Sequence, residues 1–127
     1  MGGLEMGGKK EDDGNVSDLT LRKSKGYGVS GYNGASMHLD NVSVENSGMS
    51  GVYVRGSKRN TMKNCNVSHS KCSGLYMGSD GLMTIDGKDT TIQHNGTNAY
   101  HYGLYAYNGS IHLVSPLTKE MISTNNH

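Results

Sequence analysis

Tyr53, Tyr76 and Tyr105 are the side chains whose type and spacing best suit chemistry, because each follows a glycine–aliphatic pair. The pairs are Gly51-Val52, Gly74-Leu75 and Gly103-Leu104, and an earlier one, Gly28-Val29, precedes Ser30. Brought into one column, three tyrosines make a flat aromatic strip. Sugar rings have apolar C–H faces that stack on aromatic rings, and phenols hydrogen-bond their hydroxyls. Arg55 and Tyr107 occupy the next outward column. Tyrosine also suits strands for their own sake, and ladders of it steady a sheet without a ligand.

A second outward column holds Asp40, Lys63 and Asp86. A lysine between two carboxylates has its charged form favoured. The plain reading is a solvated charge ladder worth about 0–1 kcal/mol per exposed pair. Arg22 and Glu45 form another such pair. His69 and His94 fall in one column, and His38 and His112 in another. Two ligands without an obvious third make no metal site, so none is expected. Cys65 and Cys72 form neither a disulfide framework nor a zinc motif. Cys65 falls in an apolar column and reads as core, and Cys72 falls in a turn.

The elements that must position these residues come from a repeat. Gly28, Gly51 and Gly74 are 23 residues apart, and Gly103 follows 29 residues later. Leu19-x-Leu21, Val42-x-Val44 and Cys65-x-Val67 recur at the same step, as do Ser24, Ser47 and Ser70, and then Leu39, Met62 and Ile85. Each coil thus holds three short alternating segments between Gly/Ser/Asn turns. Alternation at period two is the strand signal, and the segments are too short for helices. The fourth coil is longer, with insertions at Lys88-Asp89 and near Gly96 to His101. It then re-registers: Tyr32 to Leu39 returns as Tyr107 to Leu113, one residue shorter.

One such unit cannot bury its apolar face alone, so the units must stack. The expected fold is all-β, a right-handed parallel β-helix solenoid of about four coils of ~23 residues with three short strands per coil. Its interior columns are Leu21/Val44/Val67/Ile92, Val29/Val52/Leu75/Leu104 and Leu39/Met62/Ile85/Leu113. Ser24/Ser47/Ser70/Asn95 and Asn41/Asn64 form polar turn columns. The glycine column suits positive φ or close stacking. Residues 1–14 read as a flexible tail, 15–117 as the repeat domain and 118–127 as a polar tail. A leucine-rich repeat is the rival architecture. Its strand pattern fits only loosely, because Ser stands where Asn is wanted and the rest of each coil alternates like a strand.

The string x-Val-x-Val-x-x-Ser-x-x-x-Gly-Val-x-Val, over residues 16 to 113, resembles the right-handed β-helix repeats of the pectate-lyase-like superfamily. That resemblance implies a carbohydrate-associated protein. Its lyases hold calcium with acids and use a lysine or arginine as base, roles that would fall to Asp40, Asp86 and Lys63. Its hydrolases carry Asn-Thr-Asp, Asp-Asp and Gly-His-Gly strings. None is intact in the repeat: Asp12-Asp13 lies in the expected tail, and His101 follows Tyr100.

Composition bounds the function further. A net charge of +1 gives no electrostatic reason to bind nucleic acid or an anionic membrane. There is no Trp or Phe, and only 33% of residues are hydrophobic, so regular stacking must supply order. No apolar run reaches transmembrane length, and the first residues are not a signal peptide. An intracellular location is expected if the chain is complete and a secreted one if it is a fragment. The expected function is a non-catalytic β-helix module that binds carbohydrate within a larger protein, with no cofactor. The alternatives are a protein-interaction scaffold, or a fragment of a polysaccharide lyase or hydrolase, the lyase with calcium. Open strand edges at the coil ends invite further coils or end-to-end self-association.

Overall fold

The alternating segments form strands in the computed structural model, which describes residues 3–7, 13–32, 36–56, 59–97 and 101–126. Residues 33–35, part of the longer similarity, and 98–100, part of the second insertion, lie outside the described residues. In chain order the strands are β1 (Leu4–Gly7), β2 (Asp13–Arg22), β3 (Val29–Tyr32), β4 (Ser36–Glu45), β5 (Val52–Arg55), β6 (Asn60–Lys63) and β7 (Asn66–Ser68). They continue as β8 (Leu75–Gly78), β9 (Leu82–Asp86), β10 (Thr91–Gln93), β11 (Leu104–Tyr107), β12 (Ser110–Leu113) and β13 (Ser123–Thr124). One short helix, α1 (Lys119–Ile122), precedes β13.

All the strand pairings are parallel, and each joins a strand to its counterpart one coil away. The first face is the sheet β1-β3-β5-β8-β11. A second sheet, β12-β9-β6-β4-β7-β10-β13 with β2 on β4, wraps the other two faces. It turns the corner inside β2 and β4, at Asp18 (φ 53°) and Asn41 (φ 54°). The same corner in later coils is Asn64 and Gly87, also at positive φ. A second corner column is Lys23, Asn46, His69, His94 and Asn125, with φ between 52° and 58°. A third holds Gly56, Ser79 and Asn108. Each corner therefore needs one left-handed residue per coil. Asn, Asp and Gly tolerate that conformation best, which explains their abundance here.

The three expected interior columns form in register. Leu21 pairs with Val44, Val44 with Val67 and Val67 with Ile92. Val29, Val52, Leu75 and Leu104 align, as do Leu39, Met62, Ile85 and Leu113. The four coils stand, and each column gains one more rung from outside them: Leu4, Val16 or Ser123. Asn60 is the exception inside. It is buried on the β6 rung, in register with Met83. Its Oδ1 accepts the Met37 N–H at 2.9 Å, and its Nδ2 donates to the Leu82 carbonyl at 3.0 Å. These bonds offset the desolvation of its amide.

Parts of both terminal segments join the stack. Leu4–Gly7 pairs with β3, because Gly3-Leu4 repeats the Gly28-Val29 pair. At the other end, Leu117 and Ile122 are buried against the core. Thr118 caps α1 by accepting the Met121 N–H. Asn126 extends the turn column: its Oδ1 accepts the Asn95 N–H at 2.9 Å, and its Nδ2 donates to the Ile92 carbonyl at 2.9 Å. Among the described residues after Leu117, Ile122 is the one buried apolar side chain, so the segment reads as polar.

Close stacking accounts for the glycine column, since Gly28, Gly51 and Gly74 are not at positive φ. A Cβ on Gly51 would overlap Val67 Cγ1 and lie 2.8 Å from Ser70 Oγ and 2.9 Å from the Gly74 carbonyl. Gly28 meets Val44, and Gly74 meets Ile92, in the same way. Gly26, by contrast, has open space around it. Gly51→Ala is expected to cost about 1–3 kcal/mol through overpacking. Gly26→Ala is expected to be neutral or slightly stabilising. Urea unfolding of both variants checks the contrast, and equal midpoints would refute the stacking role.

Candidate functional site

The first face carries the candidate site because its strands turn alternate residues outward. Ser30, Tyr53, Tyr76 and Tyr105 share one outward column, with Glu5 beyond Ser30. Tyr32, Arg55, Gly78 and Tyr107 share the next. The sequence-derived tyrosines are therefore brought together. Tyr53 and Tyr76 stack at 5.0 Å between ring centroids and 12° between planes. Tyr76 and Tyr105 stack at 5.2 Å and 18°. These are favourable offset arrangements, set by the strand spacing beneath.

Tyr27 was not singled out by its sequence position, yet it extends the stack. Its ring lies 4.2 Å from Tyr53, at 18°. It precedes Gly28, in a column that continues as Ser50, Ser73 and Tyr102. Ser30 is the small member of the tyrosine column, and Tyr27 stacks on the ring of the next coil at that rung. At the far end Tyr102 stacks within its own coil, 5.2 Å from Tyr105. The signal was present as Tyr-Gly-aliphatic at 27–29 and 102–104, flanking two coils that have Ser-Gly-aliphatic.

The strip is a stack rather than a pavement. Its ring faces cover one another, so the edges and hydroxyls are what remain for solvent. Open space survives beside it. A groove of about 640 Å³ lies around the Ser30 rung, between Tyr27 and Tyr53 on one side and Glu5, Tyr32 and Arg55 on the other. The Tyr32 hydroxyl donates to Glu5 Oε1, which pushes the Tyr32 pKa up. Arg55 Nε donates to Ser79 Oγ at 3.1 Å. Gly78 stands between Arg55 and Tyr107 in their column, so those two are not neighbours. A Cβ at Gly78 would lie 2.9 Å from Tyr76 Cε1, so the glycine makes room for that ring. A second groove, of about 360 Å³, runs along the other side of the stack beside Ser50, Ser73, Cys72 and His101.

Asp40, Lys63 and Asp86 also align in register, and all three are exposed. Lys63 separates the acids, which puts them two strand spacings apart, about 9.6 Å along the column. No ion pair among the described residues joins Lys63 to either acid. Asp86 Oδ1 instead accepts the Gly87 N–H at 2.7 Å and caps the corner. Among the described residues, no three His, Cys, Asp or Glu side chains converge on a metal-sized space. Arg22 and Glu45 form an ion pair at 2.8 Å on the surface. His69 and His94 stack at 5.2 Å on their corner. Cys65 is buried in the core, where burial pushes its pKa up.

Two rings of the stack, Tyr27 and Tyr76, titrate with a defined sign. Burial first, and then the charge of neighbouring tyrosinates, raise the Tyr27 and Tyr76 pKa values above 10.0. The unfolded chain therefore loses these protons first. Stability is fully present below about pH 10 and is lost as pH rises from there through the folded values. The melting temperature is expected to fall as pH rises above 10, and Tyr76→Phe is expected to fall less. Thermal scans between pH 8 and 12 check this, with tyrosinate absorbance reporting ionisation.

A family model described as a right handed beta helix region matches residues 3–126. No curated protein and no solved structure matches the chain. The match spans the stack from the Gly3-Leu4 rung to Asn126, and the parallel registers account for it: the chain belongs to the right-handed β-helix family.

Proposed function

We propose that this β-helix is a non-catalytic module that binds carbohydrate on its tyrosine face, as part of a larger protein. The observation that carries the reading is the groove at the Ser30 rung, where the aromatic column is interrupted by one small residue. Its volume is within the range of small-molecule sites, roughly 300–1,000 Å³. Tyr27 and Tyr53 supply apolar wall, and Tyr32, Arg55 and Glu5 supply the few polar groups that fix orientation. A pyranose has this same mixture of C–H surface and hydroxyls. Beyond the groove, rings repeat at 5.0 and 5.2 Å and offer a row of phenol edges to further sugar units.

The grooved wall is kept in shape by the stack itself, so truncating one ring also loosens its neighbours. Tyr53→Ala removes the ring that Tyr27 rests on and is expected to weaken binding at least tenfold. Tyr76→Ala removes one phenol of the row and is expected to weaken it less. Binding to a polysaccharide array, followed by calorimetry on the best ligand, measures both, with circular dichroism to confirm folding. Unchanged binding in both variants would remove the proposal. Specific capture of a protein partner with no glycan bound would favour the scaffold reading.

A further inference from the structure

We propose that Tyr27 and Tyr53 are an oxidative cross-linking site, joined ring to ring when a one-electron oxidant of the peroxidase–hydrogen peroxide class reaches them. The geometry singles out this pair. Its centroid distance of 4.2 Å is shorter than the 5.0 and 5.2 Å within the tyrosine column. Column rings are held apart by the strand spacing beneath them. Tyr27 comes from outside that column, so its ring is free to close onto Tyr53. Both rings border the two open grooves, which give an oxidant access.

The chemistry balances as follows. Each phenol gives one electron to the oxidant and one proton to water, leaving two phenoxyl radicals. Their unpaired density extends to the ring carbons beside the oxygens. Near-parallel rings at 18° turn their π faces, which carry those orbitals, toward one another. A carbon–carbon bond forms there, and the hydrogen on each bonded carbon moves through solvent to its phenol oxygen. The protein loses two hydrogens, and the peroxide takes two electrons and two protons to become two waters. The bond ties the turn before β3 to β5, so these two coils can no longer separate at this face. Cross-links of this kind stabilise by restricting the unfolded chain.

The test treats dilute protein with peroxidase and hydrogen peroxide. The expected product migrates as a monomer on a denaturing gel, shows dityrosine fluorescence and yields a Tyr27–Tyr53 linked peptide two hydrogens lighter than its parts. Tyr27→Phe and Tyr53→Phe, which keep the stacked rings, are each expected to abolish it. Tyr32→Phe is expected to leave it unchanged. The treated protein should also melt at a higher temperature. Three results would overturn the assignment: no dityrosine at all, equal monomer fluorescence in Tyr27→Phe, or coupling only in covalent dimers through the exposed Tyr102 and Tyr107.

Discussion

Parallel strands hydrogen-bond at one spacing, about 4.8 Å, and every coil must bring the chain back to that height. The rest of the molecule follows from this constraint. Three corners per circuit must each be tight, and the left-handed residues at Asn41, Asn46 and Gly56 make them so. The narrow cross-section leaves no room for a side chain where Gly51 meets Val67. Equivalent residues lie directly above one another, so like rests on like: valine on valine inside, tyrosine on tyrosine outside. The aromatic stack is thus a product of backbone spacing before it is anything else. Parallel rings are comfortable at nearly the distance that strands require.

Much of this was legible in the sequence because stacking turns distance along the chain into height along an axis. Once the 23-residue step is seen, registers follow by subtraction, as Val29, Val52 and Leu75 show. The longer fourth coil did not obscure Leu104, because β8 and β11 pair in register on either side of the extra residues. What the sequence hid were departures from the average coil. Asn60 fills a core position with an amide, which no apolar pattern records. Tyr27 joins the stack from a neighbouring column, and only its partner's empty rung at Ser30 gives a reason. The terminal rungs carry too few apolar residues to stand out, though Gly3-Leu4 and Ser123-x-x-Asn126 repeat motifs of the coils.

The outward columns divide along the same line. A column of charges such as Asp40/Lys63/Asp86 gains little from being aligned, since water screens each member. Its register is real, but Asp86 bonds to its own corner rather than across the column. Tyrosines gain from alignment because each ring shields the next. This difference explains why the two columns have the same spacing and yet only the tyrosines close into a continuous wall.

The two ends of the stack are not alike. At the late end, Leu117 and Ile122 pack over part of the interior and Asn126 finishes the turn column, while Leu104, Ile111 and Leu113 are only partly covered. At the early end, Leu4, Val16 and Leu21 are only partly covered, and Leu19 is 39% exposed. Synthesis and stacking run in the same direction, so each described coil meets the edge of the one made before it, and Leu117 and Ile122 follow the coils that they cover.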